Sequence, residues 1–565
     1  MIRKLVSAII VFALATIGLS AASPAQAAVT FSPAVASSMD PNTQVVVPGT
    51  DQFAIMLFTT SESSVSYLKS AHLNLDGTVT DVTVIDSGVD SYFWLNKESV
   101  IGGLGPKGIM ASWIRTSYTE SSGMTPGSRE HGVYSAFTDD GFSWSMPVQT
   151  FDSLSYTDND EICGWINMGM CGYSNLKVAQ DSNGVLTLAI TIRYGNRNLT
   201  KIKTSVDGTN WGNESDFSSV ADNVFLTALT ALEEGGFMAF FLGSVNGTST
   251  VFYSRSLSAR PGFWSSPFVV ATGDFQNLTF TPTGAGKYSL LYFGNTNETT
   301  NLYRKVFDTK TRTWSSQETL NTAASWLATG TDLVAIRGNR VSYIYAVSIA
   351  AVQQSKIFLV DIIDGVAKPA IQVADVGDQQ PNVFGLRVNA DGTVSFAYSG
   401  QWQSPQLVSV SPLGVPTVTP IPVDMAAGNS IGTVSPSGNM FLEVKNWQTN
   451  TAKTIAYQGA EAPRPFGLRK INGKAKVNAS LSVTIPTFAS RTGIGTTRIQ
   501  WYSCTTKTAT VQLTIPLNCA AIPKATALKF KVTAKQKNKY LGVAVSNTNA
   551  VGTATLFSTL SAKTK

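Results

Sequence analysis

The chain has 565 residues and a formal net charge of +6, with only 14 % of residues charged and just two histidines, His72 and His131. So few histidines argue against a His-based metal site or a Ser-His-Asp triad, and both are expected at the surface. About 540 residues remain once a leader is discounted, more than one hydrophobic core spans, so several domains or one repeat domain with an added module are expected.

The first 27 residues read as a secretory signal peptide. Arg3 and Lys4 precede an uncharged, mostly apolar run from Leu5 to Leu19, and Ala25-Gln26-Ala27 offers the small residues of a cleavage site after Ala27. The run is short for a membrane span of roughly 20 residues. No later stretch is long and apolar enough to span, and the end of the sequence, Ser561 to Lys565, is polar. The chain is therefore expected to be secreted, extracellular or associated with the cell wall. Its abundance of Thr, Ser, Asn and Gly fits an extracellular β-protein.

The middle of the chain repeats. A polar turn, often with Gly, precedes a short apolar strand, and a second strand and often a Trp follow. Clear copies are Gly184 before Val185 to Ile192, Gly236 before Phe237 to Phe241, and Gly286 before Tyr288 to Phe293. Gly338, Gly392 and Gly438 mark three more, at intervals of 52, 50, 52, 54 and 46 residues. Two earlier units fit at Gly108 and near Asp51. A period of this size with several short strands predicts a β-propeller over residues 28–460, of eight blades by this count and seven if the two ends share one. Tandem sandwiches are the alternative, and would need longer units.

One unit is long. Gly108 to Gly184 spans 76 residues, with the excess around Ser153 to Tyr173. This segment holds Cys163 and Cys171, and a second close pair, Cys504 and Cys519, lies near the end. In an oxidising compartment such pairs read as local disulfides, whereas zinc would require shorter gaps and further ligands. Asp152, Asp158, Asp160 and Glu161 cluster here with Tyr156, Trp165 and Tyr173. Aromatic faces beside carboxylates suit a sugar ligand, so Tyr156, Asp158, Asp160, Glu161, Trp165 and Tyr173 are the candidate binding residues. The acids also read as a solvated loop, or as a weak seed for calcium; no other cofactor is implied.

Residues 461–465 read as a linker, and residues 466–565 contain fifteen Lys plus Arg and no Asp or Glu. Residues 28–465 then carry 25 basic and 36 acidic residues, a net charge of −11. The basic segment is expected to attract an anionic cell-wall polymer, with solubility alone as the plainer account of its charge. A nucleic-acid partner is not expected, since few aromatics accompany the lysines.

Short motifs carry two resemblances. Ser205-Val-Asp207-Gly208-Thr-Asn-Trp211 fits an Asp-box, and Asp139-Asp-Gly141-Phe-Ser-Trp144 fits its longer form without the leading Ser. Asp308 to Trp314 and Gly262-Phe-Trp264 are degenerate echoes. On these residues the repeat region resembles the sialidase-like (BNR/Asp-box) propellers, whose boxes are structural: Asp caps a turn, Gly takes positive φ and Trp packs in a seam. Ile499-Gln-Trp501-Tyr-Ser-Cys504 and the strand from Tyr540 to Val545 resemble a bacterial Ig-like domain, which implies a β-sandwich over residues 466–565. The sialidase resemblance would imply an arginine trio and a Tyr–Glu pair, but the family's Arg-Ile-Pro is absent and Arg115, Arg193, Arg304 and Arg337 are scattered. No catalytic residue is transferred. A secreted surface-binding protein is expected, with an extracellular glycoside hydrolase of the sialidase-like superfamily as the alternative.

Overall fold

The computed structural model describes residues 30–565 apart from short segments, those of four residues or more being 37–42, 123–126, 164–170, 350–353, 424–428, 447–450, 459–463, 467–470, 490–494 and 507–514. The signal peptide lies outside the described residues, as do Asp158, Glu161 and Trp165. Among the described residues there is no α-helix, and no helix is long and apolar enough to cross a membrane.

Residues 30–458 form eight antiparallel sheets of four or five strands. The first strands of sheets 1 to 8 are Thr43–Pro48, Val100–Gly105 (preceded in sheet 2 by the short Ser91–Trp94, which pairs on the same neighbour), Cys171–Gln180, Asp222–Ala231, Phe275–Gly284, Leu327–Arg337, Asn382–Val388 and Asn429–Val434. Each of these strands contacts the first strand of the next sheet, and that of sheet 8 contacts that of sheet 1. Sheet 8 takes its outer strands, Thr30–Phe31 and Val35–Ala36, from the other end of the chain, both paired on Thr451–Gln458. The first strands of sheets 1, 2, 6, 7 and 8 line an open cavity of about 550 Å³.

The apolar runs noted in the sequence are the second strands of the sheets, and they lie against neighbours on both faces. In sheet 4, Phe237–Val245, alternate residues face opposite seams: Met238 and Phe240 pack with Phe280, Tyr288 and Leu290 of sheet 5, while Ala239 and Phe241 pack with Ala189 and Ile202 of sheet 3. Sheet 5 repeats the division, with Tyr288, Leu290 and Tyr292 facing back and Leu291 and Phe293 facing sheet 6. A strand covered on both faces needs no polar alternation, which is why these segments read as continuous apolar runs. Burying a Phe or Leu side chain contributes about 1.5–3 kcal/mol. Six of the repeat glycines, Gly108, Gly184, Gly236, Gly286, Gly338 and Gly392, sit in the turns between first and second strands and all have positive φ, while Gly438 lies outside the described residues.

The C-terminal segment is also built of β-strands. A three-stranded sheet (Ile471–Asn472, Ser480–Val483, Lys529–Lys531) and a four-stranded sheet (Cys519–Ala521, Thr496–Cys504, Tyr540–Thr548, Thr553–Phe557) enclose a core around Trp501. Trp501 is fully buried, stacks on Phe530 and donates from Nε1 to the Ala527 carbonyl at 2.8 Å. The Cys504–Cys519 disulfide joins directly opposed residues of adjacent strands within one sheet.

Candidate functional site

The excess residues of the long unit connect the last strand of sheet 2, Val148–Thr157, to the first strand of sheet 3. The Cys163–Cys171 disulfide ties this connection to the start of that strand. Asp160 shapes the turn, its Oδ1 accepting the amides of Ile162 and Cys163 at 2.8 Å each. Tyr156 is buried beneath, in contact with both cysteines. Its ring stacks on His131, with Oη 3.1 Å from His131 Nε2.

Both histidines are buried, His72 at 1 % and His131 at 5 % exposure, which corrects the expectation that they lie at the surface. Each packs where a flat ring with two polar atoms fits between strands. His131 Nδ1 meets Thr116 Oγ1 at 2.8 Å, and desolvation, aided by the Arg129 charge, pushes its pKa down to about 4. Gly172 lies flat against this ring, at φ 139°, where a Cβ would sit 3.3 Å from His131 Cε1. His72 stacks on Phe53 and places Nε2 2.8 Å from the Gly141 carbonyl of the neighbouring sheet.

Next to the disulfide is an open cleft of about 520 Å³. Tyr173 and Ser174 line one side, Arg193 and Asn198 another, and Asn223 and Phe225 of sheet 4 close it. Tyr173 donates from Oη to the Asp152 carbonyl at 2.5 Å; burial, with the charges of Glu214 and Asp152, raises its pKa. Arg193 makes no ion pair among the described residues. The rim is shaped by β-bulges near the same end of three successive first strands, each carrying an asparagine at positive φ: Asn175 at 49°, Asn223 at 56° and Asn277 at 48°. Bulges re-aim side chains at sheet ends, and Asn tolerates the left-handed region better than most residues.

Of the expected binding residues, Tyr156, Asp160 and Tyr173 are therefore brought together at the disulfide, and Tyr173 borders the cleft. Arg193, Asn198, Asn223 and Phe225 were not singled out as binding residues from sequence. A turn marked by Gly195, at φ 61°, is the nearest local signal, since it sets Arg193 at the strand end. Arg115, Arg304 and Arg337 do not join Arg193. Arg115 pairs with Asp86 at 3.2 Å and stacks on Tyr134. Arg304 is buried, bonded to Ser289, Glu318 and the Gly365 carbonyl, and Arg337 donates to the Val388 carbonyl. The described lining of the cavity between sheets 1, 2, 6, 7 and 8 is mostly Val, Leu, Ile and Gly, with Gln44, Asn96, Lys97, Asn382 and Thr433. No group of three or more His, Cys, Asp or Glu side chains is placed to hold a metal among the described residues.

The Asp-box turns lie at the other end of the strands. Asp207 Oδ1 accepts the Thr209 and Asn210 amides at 2.8 and 2.7 Å, while Ser205 Oγ accepts the Gly208 amide. In the earlier box the capping carboxylate is Asp140 and not Asp139: its Oδ1 accepts the Phe142 and Ser143 amides at 2.8 Å. Thr138 Oγ1 accepts the Gly141 amide, so Thr138 supplies the hydroxyl that seemed to be missing. Asp308 caps its turn the same way through Lys310 and Thr311. Trp144, Trp211, Trp264 and Trp314 each pack into the seam with the preceding sheet.

No family model matches this chain, and no curated protein matches it. Among solved structures, it is similar to a mutant of the α-L-arabinofuranosidase of Fusarium graminearum bound to an iminosugar inhibitor, at 15 % identity and TM-score 0.33, covering 50 % of this chain and 91 % of that one. It is similar to a PL25 ulvan lyase bound to -[GlcA(1-4)Rha3S]-, at 10 % identity and TM-score 0.40, covering 74 % and 95 %. Polysaccharide lyase Uly1 matches at 10 % identity and TM-score 0.32, covering 61 % and 87 %. At these scores no residue or activity is carried over to this chain.

Proposed function

We propose that this is a secreted bacterial glycan-binding protein. An eight-bladed, sialidase-like β-propeller offers its disulfide-tied loop face to the sugar, and a basic Ig-like module over residues 466–565 holds the protein to an anionic cell envelope. The ring order of first-strand contacts, and the completion of sheet 8 by the N-terminal strands, support the propeller. Trp501, buried between two sheets, supports the Ig-like reading, though the disulfide stays within one sheet.

The observation that carries the function is the cleft beside Cys163–Cys171. It combines an exposed cation, two amides and the 38 % exposed Phe225 on a rigid set of strands. Amides and guanidinium suit sugar hydroxyls, a ring face suits their C–H surface, and loops on a rigid scaffold are the usual place for recognition. Glycosidic cleavage would require two acids at a suitable separation, which the substrate panel below tests.

A glycan array with the mature chain tests this reading, alongside a panel of glycosidase substrates. Binding that is lost in Arg193→Ala/Phe225→Ala supports the cleft; hydrolysis of any panel substrate sensitive to the same pair would favour the glycoside hydrolase instead. The tether is read separately. Removing residues 466–565, or washing cells with high salt, is expected to release the protein, since exposed charges are screened beyond about 8–10 Å at physiological salt. Retention unchanged by both would sink the tether.

A further inference from the structure

A second cleft, of about 550 Å³, lies between sheets 4 and 5 at the turn end of the strands, away from the disulfide loop. Its floor is aromatic. Phe263 is 72 % exposed and Phe268 53 %, while Tyr253 braces Phe268 at 5.5 Å between ring centroids. Three arginines, Arg255, Arg260 and Arg312, converge on its walls. Only Arg255 has an ion pair among the described residues, with Glu234 at 2.9 Å, and its Nε is buried with no hydrogen-bond partner there. Arg312 is fixed in place by its own turn, at φ 58°, with its amide bonded to the Asp308 carbonyl. The Asp308 carboxylate accepts turn amides in the same loop.

This arrangement runs against its surroundings. Residues 28–465 carry a net charge of −11, yet here three guanidiniums face a single carboxylate. Two large aromatic rings stand open to solvent beside them. Neither feature helps a turn to fold: like charges repel, and exposed apolar rings gain nothing from water. Both are matched by a ligand that is acceptor-rich and negatively charged and has a flat apolar face. Guanidinium forks bind carboxylates and sulfates bidentately, and ring faces cover C–H surfaces.

We propose that this cleft is a second binding site, for acidic pyranose units of an anionic polysaccharide, and that it works independently of the loop-face cleft. The pyranose C–H face would lie on Phe263 and Phe268, with its carboxylate or sulfate between Arg260 and Arg312. The cleft falls within the range of about 300–1,000 Å³ typical of small-ligand sites.

The test is calorimetric titration of the intact mature chain with tetragalacturonate, its methyl ester and a sulfated pyranose tetramer. An acid tetramer is expected to bind, and to bind at least about ten-fold more weakly to Arg260→Ala/Arg312→Ala and to Phe263→Ala/Phe268→Ala. Leu413→Ala, at a 91 % exposed position outside both clefts, should bind it unchanged, and the methyl ester should bind to none. All five positions are exposed, and unchanged melting curves would show that the variants fold. Binding equal in wild type and both cleft variants would assign the effect to the basic residues 466–565 and overturn the proposal. Equal binding of the methyl ester, no binding of either acid tetramer, or variant-sensitive binding only of an acidic Phe-containing peptide would also overturn it.

Discussion

Two halves of the repeat region share apolar seams and differ in what is added to them. From sheet 1 to sheet 5, each seam receives a tryptophan from the turn after a third strand: Trp144, Trp211, Trp264 and Trp314. From sheet 5 onward, and at closure, polar ties recur. Arg304 reaches the Gly365 carbonyl in sheet 6, Arg340 chelates Asp361 and reaches the Gly392 carbonyl in sheet 7, and Thr43 of sheet 1 donates to buried Glu443 of sheet 8 at 2.7 Å. Apolar seams gain from area removed from water and tolerate imperfect angles. Polar seams fix register but leave a costly orphan when one partner is lost. One repeat geometry thus accepts either a tryptophan or a polar tie on top of its apolar seams.

The largest expected effect lies in a tryptophan seam. Trp314 packs against Phe240, Tyr253, Phe280 and Phe307, so Trp314→Ala should cost about 3–5 kcal/mol in denaturant unfolding. Trp314→Phe should cost much less, because Nε1 has no hydrogen-bond partner among the described residues. A severe Phe variant would show that the seam is not held by apolar packing.

In the polar half, Arg340→Ala leaves Asp361 and the Gly392 carbonyl without their partner. Among the described residues the Asp361 carboxylate keeps only the Ser342 hydroxyl. The expected loss is about 2–3 kcal/mol, and pairing Arg340→Met with Asp361→Leu should recover most of it. Failure of the double variant to recover would mean that the ion pair itself, and not the orphaned acid, sets the cost.

The pH dependence separates the halves further. His131, under the loop of sheets 2 and 3, is depressed from 6.5 to about 4 in the folded chain. Below pH 6.5 the unfolded chain takes up a proton that the folded chain refuses, so stability falls by about 3 kcal/mol as pH drops through that window. His131→Gln should abolish this slope. Glu443, in the closing seam, has its pKa raised by burial, partly offset by Thr43 and Lys445. The folded form then holds its proton to higher pH than the unfolded chain, so wild type should lose stability relative to Glu443→Gln as pH rises above the ordinary carboxylate range. Parallel curves would remove the buried acid from the account. Arg193→Ala is the smallest expected effect, within about ±0.5 kcal/mol, because the side chain is exposed and serves only the cleft.

Much of the ring was legible. A turn glycine recurring near every 50 residues, followed by an apolar run, located the second strands because those strands are buried on both faces and their composition cannot vary freely. Ser205, Asp207 and Gly208 answer a local backbone demand of their turn, and Trp211 fills the seam beside it. The earlier box was misread by one residue, with Asp139 taken for Asp140, because Thr138 can replace Ser at that turn and only the hydrogen bonds reveal it. The two cysteine pairs, each close in sequence, were read correctly as local bridges.

The sites were far less legible. Arg193, Asn198, Asn223 and Phe225 come from three strands of two sheets, and Arg255, Arg260 and Arg312 from two sheets as well. No spacing along the chain marks such groups. The sequence by itself determined the period, the strand chemistry, the disulfides and the division of charge between residues 28–465 and 466–565, since those depend on local conformation and composition. Only the tertiary structure decided which arginines are spent in seams and which face solvent, and that both histidines are buried. Those outcomes depend on which strand ends and turns the stacking of sheets brings together.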